Sequence, residues 1–187
     1  MAIKTFTTGE VLTASDTNTY LANSGLVYLS TTTWTATATK QFTNTFSSTY
    51  RNYRAYVTLT ASAGANFYLR LLVGTTVQAG NILSIQWGTQ LSVGTLAVTT
   101  RADQYALNGA AFATYPSTYV IDFMAPQAAD YTNWTVDGVG GRSNTDSDSY
   151  HVQCRNIATT QIDGFEFTTA AATTLAGTMT LYGVRNA

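Results

Sequence analysis

The chain has 187 residues, which is enough for one domain with a sizeable core. Because 45% of the residues are hydrophobic and only 10% are charged, the composition excludes a chain that is disordered through its charge. The formal net charge is −1 and the nine basic residues are scattered, so we expect neither nucleic-acid binding nor attachment to an anionic membrane surface. Threonine accounts for about one residue in five, and this composition favours β-strands.

The sequence also bears on the compartment in which the chain is made. A single cysteine, Cys154, excludes an internal disulfide, and we expect it to be a buried free thiol. The first residues lack the apolar core of a signal peptide, and no apolar stretch reaches the length of a transmembrane helix. We therefore expect synthesis in a cytoplasm and no insertion into a membrane.

The stretch from Phe6 to Leu29 is the one place where the sequence predicts a helix with marked ends. Thr13 to Asp16 has the form of a capping box with Asp in place of Glu, so we predict a helix of roughly ten residues that begins near Ala14. Gly25 is a suitable C-terminal stop. Since the helix has few apolar residues, it needs a surface on its own domain or on another chain. We predict that residues 1–25 form a docking segment. Its predicted interaction residues are Phe6, Val11, Leu12, Tyr20 and Leu21.

From Leu26 onward the sequence predicts one strand after another, with Trp34 as a core anchor. Two stretches, 53–62 and 66–74, alternate between apolar and polar residues with a period of two. The residues between them are typical of a turn. We therefore predict that these two stretches form a β-hairpin.

Further short strands follow as far as Val184, and the Gly-rich, polar stretch from Gly138 to Ser149 is predicted to be an exposed loop. About ten short strands with loops between them predict an all-β fold, an antiparallel β-sandwich that resembles a jelly roll. No fixed internal repeat is present, which argues against a propeller or a solenoid. We assign the sandwich to residues 26–187.

Residues suited to catalysis or metal binding are sparse. His151 and Cys154 are three apart on a predicted strand, so they point to opposite faces and are not expected to form a pair. The sequence has one local cluster of carboxylates, at Asp137, Asp146 and Asp148. Its oxygens suit Ca²⁺, but the glycine and distal glutamate of an EF-hand loop are missing, and we favour an ordinary solvated loop. We predict no catalytic residue, no metal site and no cofactor.

Tyrosine is the more informative residue type, with twelve copies in the chain. Strand alternation places Tyr56, Tyr68 and Tyr182 on the polar faces of their strands. Exposed tyrosines stack on sugar rings or anchor protein interfaces, because they bring a large area at a low cost in conformational entropy. We favour an interface, since a chain with so little charge is poorly protected from association.

Both ends of the chain resemble structural proteins of tailed-bacteriophage particles. Phe6 to Leu21, which reads FTTGEVLTASDTNTYL, is similar to the phrase F…G.VLTA.D.N.YL that opens many minor tail, fibre and decoration-type proteins. Near the other end, Asp163 to Phe167 and Leu175 to Gly183 are similar to the closing strands of phage fibre sandwiches, which typically end on a GT-x-x-x-YG strand. The resemblance covers about a fifth of the chain.

This resemblance implies a non-enzymatic structural protein of the virion, either a fibre or an accessory of the head or tail. It implies a homotrimer or another symmetric assembly, which is formed in the host cytoplasm and attached to other virion proteins through residues 1–25. One alternative is a carbohydrate-binding module that recognises a glycan of the host surface. Another is an enzyme such as a depolymerase, but the chain lacks the clustered acids, or the nucleophile with a base, that such an activity needs.

Overall fold

Strands are the regular structure of the described part of the chain, which contains no helix. The computed structural model describes residues 7–11, 13, 25–64, 66–78, 82–90, 93–101, 105–106, 115–141, 147–169 and 173–184. The strands are β1 (Leu26–Thr37), β2 (Thr39–Phe42), β3 (Asn52–Ala61), β4 (Phe67–Val73), β5 (Thr76–Val77), β6 (Ile82–Gln90), β7 (Val93–Arg101), β8 (Tyr105–Ala106), β9 (Ser117–Met124), β10 (Thr132–Gly141), β11 (Ser147–Asn156), β12 (Gly164–Thr169) and β13 (Leu175–Val184). The predicted all-β fold is confirmed.

The strands form two antiparallel sheets. The larger sheet has eight strands in the order β1-β13-β3-β9-β10-β11-β6-β7. The smaller sheet has the order β2-β12-β4-β5, and β8 also pairs with β4. The first strand therefore lies beside the last, and the first four strands alternate between the two sheets.

The core lies between the two sheets and follows from the alternation of each strand. In β3, Tyr53, Ala55, Val57 and Leu59 face the same way, and all four are buried. Phe165 of the smaller sheet is fully buried, with its ring centroid 4.9 Å from that of Phe123 in the larger sheet. The inner faces of the two sheets therefore share one apolar layer.

Trp34 belongs to this layer, as the sequence predicts. It is 8% exposed and stacks on Phe167 with a centroid separation of 6.3 Å. Because Trp34 lies on β1 and Phe167 on β12, the contact joins the two sheets near the edge of the larger one. The predicted core anchor is confirmed.

The predicted hairpin of 53–62 and 66–74 is wrong. Both stretches are strands, but β3 pairs with β13 and β9, whereas β4 pairs with β12, β5 and β8. The chain between them crosses from one sheet to the other. Alternation identifies a strand and its buried face, but it does not identify the hydrogen-bonding partner.

The predicted loop from Gly138 to Ser149 is also shorter than expected. β10 and β11 stay paired as far as Gly141 and Ser147, so the glycines lie within a strand. A Cβ atom at Gly138 would collide with the ring of Tyr119 on the neighbouring strand. The glycine therefore makes room for a buried aromatic ring rather than marking a turn. Residues 142–146, which include Asp146, lie outside the described residues.

The predicted N-terminal helix lies outside the described residues, and so do Phe6, Leu12, Tyr20 and Leu21. Val11 is described and is 80% exposed. Just before it, the backbone N–H of Glu10 donates to the carbonyl of Thr7 at 3.0 Å and closes a short turn. The boundary between a docking segment and the β-rich region stays a prediction.

Candidate functional site: the outer face of the larger sheet

The outer faces of the two sheets differ in how far they are covered. On the smaller sheet, Glu166 points away from the core but is only 1% exposed. It accepts a hydrogen bond of 2.8 Å from the side chain of Gln41 and forms an ion pair with Arg70. On the larger sheet, Tyr28 and Tyr56 also point outward, and they are 60% and 42% exposed. The larger sheet therefore presents the more accessible surface.

This surface is centred on three neighbouring strands, β1, β13 and β3. Its members share an outward orientation, because the intervening residues of each strand are directed at the core. We call it the tyrosine face. It consists of Tyr28, Thr31, Thr33, Arg54, Tyr56, Thr58, Thr178, Thr180 and Tyr182.

A row of three tyrosines crosses the tyrosine face. Tyr28 lies directly opposite Tyr182, and their ring centroids are 6.0 Å apart with planes at 74°. Tyr182 also contacts Tyr56 of β3 edge to face, with centroids 5.8 Å apart. Edge-to-face contacts at this separation are favourable for aromatic rings. The rings therefore restrain one another and form a pre-ordered aromatic surface.

Threonine hydroxyls beside the tyrosines are paired with one another. Thr31 and Thr180 form a side-chain hydrogen bond of 3.0 Å across β1 and β13, and Thr33 and Thr178 form another of the same length. A hydroxyl that already has a partner loses less when water is removed from it. These pairs therefore lower the cost of covering the face.

The tyrosine face has one charged residue, Arg54, and its charge is balanced. Its Nε donates to Oδ1 of Asp122 at 2.6 Å and its Nη2 donates to Oδ2 at 2.7 Å, which is a bidentate ion pair with the adjacent strand β9. The hydrogen bond to Asp122 raises the pKa of Arg54, so the guanidinium stays charged at any ordinary pH. The pair as a whole is neutral.

Two of the three tyrosines singled out by alternation belong to this face, and one does not. Tyr56 and Tyr182 are both in the row, as described above. Tyr68 lies on β4 of the smaller sheet, where it is half-buried and its hydroxyl accepts a hydrogen bond of 3.5 Å from Asn66. Tyr28 was not predicted, because a register shift between Tyr28 and Ser30 breaks the alternation of β1.

His151 and Asp137 form a second polar feature on the outer face of the larger sheet. Nδ1 of His151 lies 2.5 Å from Oδ1 of Asp137 on the paired strand. Cys154 is on the opposite face and is buried, and burial raises the pKa of its thiol. The prediction that His151 and Cys154 point to opposite faces is confirmed.

Two kinds of feature are absent from the described residues. They contain no group of three or more His, Cys, Asp or Glu side chains placed to hold a metal ion. Nor do they include a helix with the length and apolar character needed to cross a membrane.

Comparison with protein-family models, with curated proteins and with solved structures found no match to this chain.

Proposed function

We propose that the chain is a non-enzymatic structural protein of a tailed-phage particle, either a fibre or an accessory of the head or tail. Residues 1–25 attach it to other virion proteins, and the β-sandwich of residues 26–187 is displayed. It assembles as a symmetric homo-oligomer, which the resemblance indicates is a trimer. The observation that carries the proposal is the order of the strands, taken together with the phage-like phrases at both ends.

The strand order supports a jelly-roll-like sandwich. Four pairs are nested within one another along the chain: β1 with β13, β2 with β12, β3 with β9, and β4 with β5. Nested pairing of eight strands in two sheets is what one long hairpin produces when it folds over on itself, as in a jelly roll. Viral capsid domains and lectins share this architecture. The strands β10, β11, β6 and β7 extend the larger sheet beyond β9.

The phage-like residues near the C-terminal end occupy central places in this arrangement. Phe165 and Phe167 lie in the layer between the sheets. Asp163 accepts two hydrogen bonds from the backbone N–H of Gly74, at 2.8 and 3.0 Å, and so ties β12 to the turn after β4. The phage-like stretches therefore provide one strand to each sheet, β12 to the smaller and β13 to the larger, and this supports their interpretation as the closing strands of a sandwich.

Deletion of residues 1–25 tests the proposal. The truncated chain should remain folded by circular dichroism but should no longer be recovered with purified particles. The full-length chain, expressed in the same cells, is the control and should be incorporated. Normal incorporation of the truncated chain would show that attachment does not depend on this segment.

One observation favours the second candidate function, a carbohydrate-binding module. Tyr56 is exposed on the same strand face as Arg54, which forms the ion pair with Asp122, and Tyr28 is exposed at the far end of the tyrosine row. Aromatic rings next to polar groups are suited to sugars. If this function holds, the oligomerised chain should bind defined glycans on an array, and Tyr28→Ala should weaken that binding. A lack of binding across a broad array would argue against it.

A further inference from the structure

We propose that the tyrosine face is the surface through which one copy of this chain packs against a second copy. The inference deepens the proposed function and rests on it, since it names the contact that would hold the structural protein together as a homo-oligomer. Four properties of the face support it: its exposed apolar side chains, its lack of net charge, its pre-paired polar groups and its size.

Exposed apolar side chains are concentrated on the outer face of the larger sheet. Nine large hydrophobic side chains are exposed among the described residues, and five of the nine lie on this outer face. Tyr28 and Tyr56 belong to the tyrosine face, Leu26 and Met124 flank it on β1 and β9, and Val139 lies farther away on β10. Single exposed apolar residues are ordinary on a protein surface, but a concentration of them marks an interaction site.

The charge distribution indicates which kind of partner fits. All residues of β1, β13 and β3 are described, and Arg54 is the one charged side chain among those that point outward. Interface centres are depleted in charge and enriched in Tyr and Arg, and this is the composition found here. A strongly charged partner would find no complementary charge. A second copy suits the face, because the whole chain has only 10% charged residues.

The polar groups of the face are prepared for burial. The hydroxyls of Thr31 and Thr33 are each bonded to a threonine of β13, and the Arg54 guanidinium is held by Asp122. Burying these groups therefore leaves few donors or acceptors without a partner.

The tyrosine face and the outward side of the adjacent strand β9 together have the size of a specific contact. These four strands, β1, β13, β3 and β9, at about 4.8 Å spacing and about 3.3 Å per residue, span roughly 19 by 33 Å, or about 600 Å² in projection. A standard interface buries about 800 Å² on each partner. Side-chain relief adds to the projected area, so the tyrosine face together with β9 is large enough for a contact between two folded copies.

Light scattering of the full-length chain tests the inference. We expect a mass of two or more copies at micromolar concentration. Thr58→Lys and Tyr56→Lys, which place a charge at the centre of the face on an interior strand, should each raise the dissociation constant by about 30-fold or more. Gln153→Lys is the matched control, because Gln153 is exposed on the same side of the sheet at β11, outside the tyrosine face. It should leave the mass unchanged.

Two results would overturn the inference. One is a monomeric wild-type chain at all concentrations. The other is an oligomer that resists both substitutions, which would place the contact on another surface, such as the outer edge of β1. Circular dichroism identifies a variant that fails to fold, and Thr118→Lys on the adjacent strand β9 then replaces it as the test.

Recovery of the chain with particles is measured separately, so a monomer found in particles would contradict this inference alone. An oligomer that is absent from particles would contradict the proposed function alone.

Discussion

Cys154 and its neighbour Gln153 lie on opposite faces of β11 and should differ sharply in reactivity. Because burial raises the pKa of the Cys154 thiol, the native protein should not react with a thiol reagent near pH 8, where an accessible cysteine forms some thiolate. Unfolding in guanidinium chloride should expose one reactive thiol. The control is Gln153→Cys, whose new thiol should react in the native state. Equal labelling of wild type before and after unfolding would show that Cys154 is accessible.

Phe165 is a residue whose loss should cost much stability. It is fully buried and lies 5.1 Å from Phe42, 5.6 Å from Phe46 and 4.9 Å from Phe123, centroid to centroid. Phe165→Ala should lower the free energy of unfolding by about 3–5 kcal/mol, since it leaves a cavity between the sheets. Val139→Ala, at an exposed position, should change it by less than about 0.5 kcal/mol. Denaturant unfolding of the two variants checks the difference, and a similar effect of both would contradict the shared core.

At the residue scale, alternation alone was enough to find part of the face. Tyr56 and Tyr182 stand in strands with an unbroken period of two, so their outward orientation could be predicted. The orientation of Tyr28 depends on a bulge, which no local pattern marks. That the three rings meet depends on register between strands at opposite ends of the chain, and sequence patterns contain no such information.

Among the strands, β13 depends on one glycine for its place between β1 and β3. A Cβ atom at Gly177 would collide with the carbonyl oxygen of Thr58 and would lie 2.9 Å from the side chain of Trp34. Gly177→Ala should therefore cost about 1–3 kcal/mol, because a central strand cannot shift without disturbing both neighbours. Ala176→Ser, at the adjacent outward-facing position, is the control and should be nearly neutral. A thermal unfolding series checks the prediction, and an unchanged melting temperature for Gly177→Ala would contradict it.

The elements show where prediction from sequence succeeds and where it stops. β3 and β4 were predicted as strands with the correct buried faces, because half-buried strands alternate. Their partners were predicted wrongly, because proximity in sequence is a poor guide to pairing when the chain crosses between sheets. The loop predicted at the glycines of β10 was wrong for another reason. Glycine is typical of loops, but Gly138 lies within a strand, where it accommodates the Tyr119 ring.

For the whole molecule, the low charge predicts how assembly responds to salt. If copies meet through the tyrosine face, the contact includes one ion pair that is already satisfied within each copy. Raising the salt concentration from about 0.05 to 0.5 M, which screens exposed charges, should leave the dissociation constant nearly unchanged. Sedimentation equilibrium at the two concentrations measures it. A strong weakening by salt would indicate an interface held by charges outside this face.

The nested strand order also has a consequence for synthesis on the ribosome. Thr31 of β1 meets its partner Thr180 only after a further 149 residues have been added. At about 5–20 residues per second this takes roughly 7–30 seconds, during which the nascent β1 has no β13 to pair with. β1 contains no charged residue and no proline, which are the usual protections against pairing with a wrong strand. β1 is thus made long before its partner β13, and aggregation during translation should depend on how β1 is shielded in the interval.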